Sequence, residues 1–450
     1  MREIIAADFR DRVVHHVLID RLEAVYEPIF IHDSYACRKE KGLHKAVERV
    51  RQFIGKGAEN GRKRLFFAHL DIRNFFMTID KRILYDILKK KVTDENLLWL
   101  ARAIIFHNPA ENCIIKGKQQ LMNSLPPHKS LFHAGEGKGL PVGNLTSQFF
   151  ANLYLNELDQ YVKHSLKCRF YVRYCDDFLI MDKSPERLEE IKKNIGEFVN
   201  ARLRLSLNER HGKVLPVSNG MDFLGYIIRR DYMLVRRRVV NNLKTRLDWF
   251  EKRLNPPSPA CASPHADRPP FSKGGMVGFE GRITIFRYDY ELLEKLRAVL
   301  ASYMGHLKWA NTARLKTALL KRYDFLKEYF VFGGGGILPL YKHPRLFPTI
   351  SRQYAYYARR FREAVFFFQV GCFYEFYAEL KEEVKNAVEL KRLKTGKRPV
   401  RYGFPVRLEK EYAGRLLTMG IPVVIIKETD RYIGRIKERL PAMKIKKKED

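Results

Sequence analysis

The sequence predicts an α+β protein with more than one domain, on three observations. Residues 64–72 (RLFFAHLDI) read as an apolar strand, and in 169–182 (RFYVRYCDDFLIMD) side chains that alternate over 170–174 lead into an almost wholly apolar run, which reads as two buried strands over a tight turn. Residues 11–30, 82–105 and 147–166 repeat their apolar positions at helical spacing. Residues 255–278 are rich in Pro, Ser and Gly without any periodicity, which predicts a disordered insertion.

These signals divide the chain. Residues 1–230 form a mixed helix and strand core. Residues 231–332 form a basic helical unit interrupted by 255–278, its second half (290–330) strongly helical with Lys and Arg on the outer face. The GGGG run at 333–336 breaks that unit from residues 345–440, a small mixed α/β domain. There a helix, an apolar strand and a second amphipathic helix open a segment that alternates helix and strand. No repeat at solenoid period is present.

The chain of 450 residues carries 84 Lys and Arg against 51 Asp and Glu, a net charge of +33. Such an excess needs a polyanion, and 12% aromatic residues add stacking surfaces, which points to nucleic acid. An anionic membrane surface competes as a partner, but no basic amphipathic helix stands out and no apolar run approaches the ~20 residues of a membrane span. The opening residues lack the apolar centre of a signal peptide, so a cytoplasmic protein without a membrane partner is expected. Cys37, Cys113, Cys168, Cys175, Cys261 and Cys372 are scattered without zinc-ligand spacing, as reduced and mostly buried thiols would be. There is no phosphate-binding G-x-x-x-x-G-K-[ST] loop, and GEGKGLPVG (135–143) does not open on a strand, so nucleotide chemistry here is expected to use metal.

Asp176 and Asp177 sit between two apolar strands, where a solvated turn would more usually carry Gly, Asn or Pro. Burying adjacent carboxylates is costly unless a cation compensates. Asp71 ends another apolar strand and is followed by Ile72, Phe75 and Phe76. Strand-borne acids meeting at a sheet edge suit two hard divalent cations, Mg²⁺ or alternatively Mn²⁺, and such a pair supports nucleotidyl transfer.

Five blocks in order carry a resemblance: Asp71 with Phe75 and Phe76, GLPVGNLTSQFFANLYLNELD (139–159), YCDD (174–177), LRLSLNERHGKV (203–214) and FLGY (223–226). Together they resemble the palm of reverse transcriptases, over residues 1–230. The resemblance implies right-hand polymerase fingers and palm with an antiparallel sheet, and a helical thumb containing SYMGHLKWAN (302–311). It implies Asp71 and Asp176 as metal ligands, the Ile72 carbonyl as a backbone ligand, and Asp177 as a less tightly held neighbour. Phe76 falls at the steric gate that selects deoxynucleotides, unless it is a core aromatic. Gly143 gives a turn, Asn144, Thr146 or Ser147 caps the next helix, and Gln148 and Tyr174 lie near template and incoming nucleotide. Lys213, or Arg210 instead, is the general acid toward pyrophosphate. Arg2, Arg10, Arg12, Arg38, Lys39 and Lys41 fall in finger segments as candidates for triphosphate or template contact. The match opens part-way through the second finger block, which implies short fingers and puts full activity in question; a group II intron-like reverse transcriptase and a nucleic-acid-binding scaffold with a decayed polymerase are the alternatives.

Ser147-Gln148, in place of the Pro common in group II intron enzymes, resembles the reverse transcriptases of diversity-generating retroelements. That implies template RNA, primer–cDNA duplex and deoxynucleoside triphosphates as partners, with an accessory protein of the retroelement as a further candidate. Finally, Gly371-Cys372-Phe373-Tyr374-Glu375 and residues 401–430 resemble the first, mismatch-reading domain of the repair protein MutS. By that likeness Phe373 wedges into a mispaired step and Glu375 bonds the displaced base.

Overall fold

The computed structural model describes residues 3–447 except 112, 117–123, 210–211, 255–282, 334–335, 343–346, 391 and 393–399. Arg2, Arg210 and the 255–278 insertion therefore lie outside the described residues. The chain forms two compact units, one running to Arg236 and taking in Trp309–Asn311, the other holding Arg237–Lys308 and the residues from Thr312 onward.

In the first unit the helices are α1 (Phe9–Tyr26), α2 (Leu43–Gly57), α3 (Phe75–Thr78), α4 (Lys81–Lys89), α5 (Glu95–Phe106), α6 (Leu145–Gln160) and α7 (Pro185–Leu203). Several begin where a short polar side chain takes up orphan amides: Asp80 accepts from Arg82 and Ile83, Asp94 from Asn96 and Leu97, and Ser184 from Arg187 just ahead of Pro185. Strands β1 (Phe66–Asp71), β2 (Phe170–Tyr174), β3 (Asp177–Asp182) and β4 (Val214–Pro216) make one antiparallel sheet in the order β2-β3-β1-β4.

Period-two alternation gives this sheet two buried faces. Leu70, Tyr171, Phe178 and Ile180 pack on α1, α6 and α7, while Phe67, Val172, Leu179 and Met181 pack on α2. The second face is closed by a small antiparallel sheet of β5 (Met221–Phe223), β6 (Tyr226–Ile228) and β7 (Met233–Val235). Trp309 joins this unit by stacking on His44 at 4.5 Å.

The second unit contains α8 (Arg237–Leu254), α9 (Tyr290–Leu307), α10 (Ala313–Arg322), α11 (Ile350–Arg360), α12 (Glu382–Ala387) and α13 (Glu409–Thr418). Its strands are β8 (Ile283–Arg287), β9 (Phe330–Gly333), β10 (Gly336–Pro339), β11 (Val365–Val370), β12 (Phe373–Phe376), β13 (Tyr402–Pro405), β14 (Val423–Ile433) and β15 (Ile436–Lys447). Three expectations change here. The stretch around 333–336 is sheet on both sides, since Gly333 pairs with Gly336 across β9 and β10. The apolar run FFFQVGCFYEFY is two antiparallel strands, because Gly371 takes φ 59° and reverses the chain between β11 and β12. And β8, in the stretch assigned to the helical unit, is the edge of a six-stranded sheet in the order β13-β12-β11-β14-β15-β8.

The register explains the last change. Ile283 to Arg287 pair with Lys447 to Met443, and Ile445 at the centre of that ladder is fully buried. The boundary drawn between 332 and 345 therefore does not separate a helical unit from a sheet domain. No helix among the described residues is long and apolar enough to cross a membrane.

Candidate active site

The sheet brings its acids together by register. Asp71, the last residue of β1, pairs directly with Asp177, the first of β3, and Tyr174 pairs with Asp177 from the other side. Asp176 occupies the two-residue turn between β2 and β3, where Cys175 adopts φ 58°, a left-handed conformation that costs a non-glycine residue on the order of 1 kcal/mol. The Ile72 amide donates to the Asp176 carbonyl at 3.3 Å, which ties the end of β1 to this turn.

Each acid has its own surroundings. Asn208 donates its backbone amide to the Asp71 carbonyl at 2.8 Å and its side-chain amide to Asp71 Oδ2 at 2.9 Å. His69, two residues before Asp71 and so on the same face of β1, places Nε2 2.5 Å from Asp177 Oδ1. Asp176 is half-buried, and burial together with the Asp71 charge pushes its pKa up to about 6. Burial also pushes the Cys175 thiol up, which makes it an inert neighbour and not a nucleophile.

Among the described residues no group of three or more His, Cys, Asp or Glu side chains stands preassembled as a metal cage. The donor set nevertheless fits a hard divalent ion: the groups are carboxylates, and Asp71 and Asp176 lie close enough for one to oppose ionisation of the other. Asn208 and His69 were not legible as site residues. The signal for His69 was its two-residue spacing from Asp71, and for Asn208 its place in the fourth block.

The loop before α6 is tied to the N-terminal segment. Ile5 donates to the Val142 carbonyl at 2.8 Å, and Ala7 donates to Asn144 Oδ1 at 2.9 Å. Asn144 occupies the N-cap position of α6, yet its side chain serves residue 7 and makes no capping bond to the helix. Gly143 has φ 130°, and a Cβ there would meet Ile4 Cγ2 at 2.8 Å and the Ile5 carbonyl oxygen at 3.1 Å. Gly143→Ala is therefore expected to destabilise the protein by roughly 1–3 kcal/mol, read as a lower midpoint in urea unfolding.

Gln148 is exposed on the first turn of α6, and Tyr174 packs half-buried against the second core. Phe76 is half-buried, meets Phe75 edge-on, and accepts the Leu140 amide on its carbonyl, which joins the Asp71 block to the same loop.

The finger cations separate into two kinds. Arg10 and Arg12 are exposed on α1, and Lys39 pairs with Glu23 at 2.7 Å with its side chain still largely in solvent. Lys41 donates to the His32 carbonyl over the Tyr35 ring. Arg38 is engaged within its own segment: Nε and Nη2 grip Glu27 while Nη1 donates to the Ile31 and Ser34 carbonyls. Lys213 is exposed just before β4. In the other unit Phe373 is 50% exposed at the start of β12, and Glu375, on the same face, accepts from the Tyr377 hydroxyl at 2.5 Å.

A four-stranded antiparallel sheet that gathers acids at its strand ends and packs one face on α1, α6 and α7 is the palm of a right-hand polymerase. The chain belongs to the reverse transcriptase (RNA-dependent DNA polymerase) family, whose model matches residues 1–228. The model of MutS domain I matches residues 348–440. Protein YkfC of Escherichia coli K12 is 25% identical over 268 residues, 52% of this chain and 65% of that protein. The group II intron-encoded protein LtrA of Lactococcus lactis subsp. cremoris is 24% identical over 292 residues, 51% of this chain and 44% of that protein. The chain thus spans less than two thirds of the length of either relative. A telomerase from Candida tropicalis in complex with a telomeric RNA fragment superposes with a TM-score of 0.37 at 13% identity, covering 70% of this chain and 48% of the telomerase.

Proposed function

We propose that the chain is an RNA-directed DNA polymerase that copies template RNA into cDNA from deoxynucleoside triphosphates. The observation that carries this is the direct pairing of Asp71 with Asp177 beside a half-buried Asp176 whose ionisation Asp71 opposes. Asp71, Asp176 and Asp177 would hold two Mg²⁺ ions, with Mn²⁺ as a substitute and the Ile72 carbonyl as a backbone ligand. Bound divalent ions supply a lowered pKa for the attacking hydroxyl and charge neutralisation for the leaving pyrophosphate. Asn208 keeps the Asp71 carboxylate on the site side of β1, and His69 does the same for Asp177. Lys213 is the candidate to protonate pyrophosphate. RNA-templated primer extension with Mg²⁺ tests the reading, and EDTA is expected to stop it.

Phe76 gates the sugar. Phe76→Val is expected to reduce discrimination against ribonucleoside triphosphates by at least roughly tenfold, measured as the ratio of kcat/KM values for dNTP and rNTP. A variant that still rejects ribonucleotides like the parent would return Phe76 to the core.

We assign the enzyme to the diversity-generating retroelement type, supported by Ser147-Gln148 with Gln148 exposed at the head of α6. Similarity to LtrA favours a second reading, a group II intron-like polymerase. A template repeat beside the gene, paired with a variable repeat that differs only at adenines, separates the two. In this reading the C-terminal sheet holds template–primer duplex, with exposed Phe373 as its stacking residue.

A further inference from the structure

The largest wholly buried side chain near the candidate site is a cation that the proposed chemistry leaves unused. Arg173, on β2, is 0% exposed. Its Nε and Nη2 donate to the two carboxylate oxygens of Asp159 on α6 at 2.8 and 2.6 Å, and the Tyr171 hydroxyl donates to the same carboxylate at 2.7 Å. The remaining Nη1 donates to Asn152 Oδ1 on α6 at 3.1 Å and to the Cys175 carbonyl at 3.0 Å.

A buried ion pair is often no more stabilising than apolar residues of the same volume. What apolar residues cannot supply is the donor to Cys175. That carbonyl belongs to the residue with φ 58°, and the next residue is Asp176. Asn152, which takes the other Nη1 proton, itself donates to the Ala36 carbonyl at 2.7 Å, so the guanidinium cannot slide along α6 without breaking a second buried bond. The grip therefore runs from a rigid helix through a planar fork to the turn, and α6 carries Gln148 on its first turn.

We propose that Arg173 is a positioning residue: from its anchorage on α6 it holds the Cys175 carbonyl and so fixes where the Asp176 carboxylate stands relative to Asp71. The proposal rests on the polymerase reading, and its test separates the two. Arg173→Met combined with Asp159→Leu and Tyr171→Phe replaces the ion pair by apolar side chains, while Arg173→Lys keeps the charge opposite Asp159 but lacks the fork. Both are compared with the parent for melting, for kcat and KM in primer extension, and for Mn²⁺ affinity of the free protein by electron paramagnetic resonance.

The triple variant is expected to melt within a few degrees of the parent, to bind Mn²⁺ roughly tenfold more weakly or worse and to lose roughly 10–100-fold in kcat. KM for dNTP stays within a small factor. Arg173→Lys shows the same losses in milder form. A folded triple variant with parental kcat and Mn²⁺ affinity overturns the proposal; should the triple variant fail to fold, parental values in Arg173→Lys overturn it and reduced ones support it. A parent protein that incorporates no nucleotide refutes the polymerase reading, and the Mn²⁺ affinities then still decide the role of Arg173.

Discussion

Asp176→Asn is expected to abolish incorporation and to stabilise the metal-free protein. The loss follows from removing the carboxylate that Asp71 crowds: several kcal/mol of charge stabilisation at about 1.36 kcal/mol per decade is roughly 10³-fold or more in kcat. The gain follows from linkage. Burial and Asp71 raise the folded-state pKa of Asp176 from an ordinary 3.8 to about 6. A carboxyl group with a raised folded pKa favours the fold while protonated, and this contribution is lost as pH rises through about 6. Above that pH the apoprotein carries the cost of the charge, and asparagine removes it, by roughly 3 kcal/mol. Melting in EDTA at pH 7.5 should rise by a few degrees, and the difference should shrink to nothing by about pH 4. An asparagine variant that melts lower than the parent at pH 7.5 would show that Asp176 is held in place by favourable contacts instead.

The second large effect concerns the far end of the chain. Ending the protein at Ile433 removes β15 and leaves β14 and β8 without their shared neighbour. It takes away Ile445 at the centre of the β15–β8 ladder and uncovers Phe286, each a burial worth about 1.5–3 kcal/mol. It also removes Arg439, which bonds Glu428 and the Gln369 carbonyl behind the β11–β12 turn, and Lys444 and Lys446, which pair with Glu328. The summed loss is on the order of 5 kcal/mol or more, enough to unfold a sheet of ordinary stability. Limited proteolysis should then cut within 365–433, and binding of a hydrophobic dye should rise. A truncated protein with parental protease resistance would mean that β15 is dispensable.

The palm was legible because its signal is local. The apolar stretch 64–72 and the alternation that opens 169–182 give strands, and an Asp-Asp pair between apolar runs gives a turn that needs an explanation. The register that sets Asp71 against Asp177 is a long-range fact, and with it went the partners: His69 follows from period two only once β3 is known to lie alongside β1. Asn208 reaches Asp71 through a bridge between Ile72 and Leu207, outside any regular strand. Arg38 falls in a segment, residues 34–46, that resembles the fingers, and that resemblance implies a ligand-binding cation. Its clamp depends on a chain reversal in which Cys37 and Glu40 take positive φ, and no residue type announces that. Strand β8 is a short β-branched run whose partner lies near the C-terminus, and a helical reading of its flanks had no reason to detach it. Arg173 was seen as one side of an alternating strand, and its burial against Asp159 needed the helix to be placed.

The decisive experiment is single-nucleotide extension of a primer annealed to an RNA template in Mg²⁺, with the four dNTPs supplied one at a time. A polymerase extends by one residue with the complementary dNTP, gives no product in EDTA, and gives none with Asp176→Asn under the same conditions. Primer and template bound but left unextended by the parent protein, or extension equally efficient with Asp176→Asn, would contradict the polymerase reading.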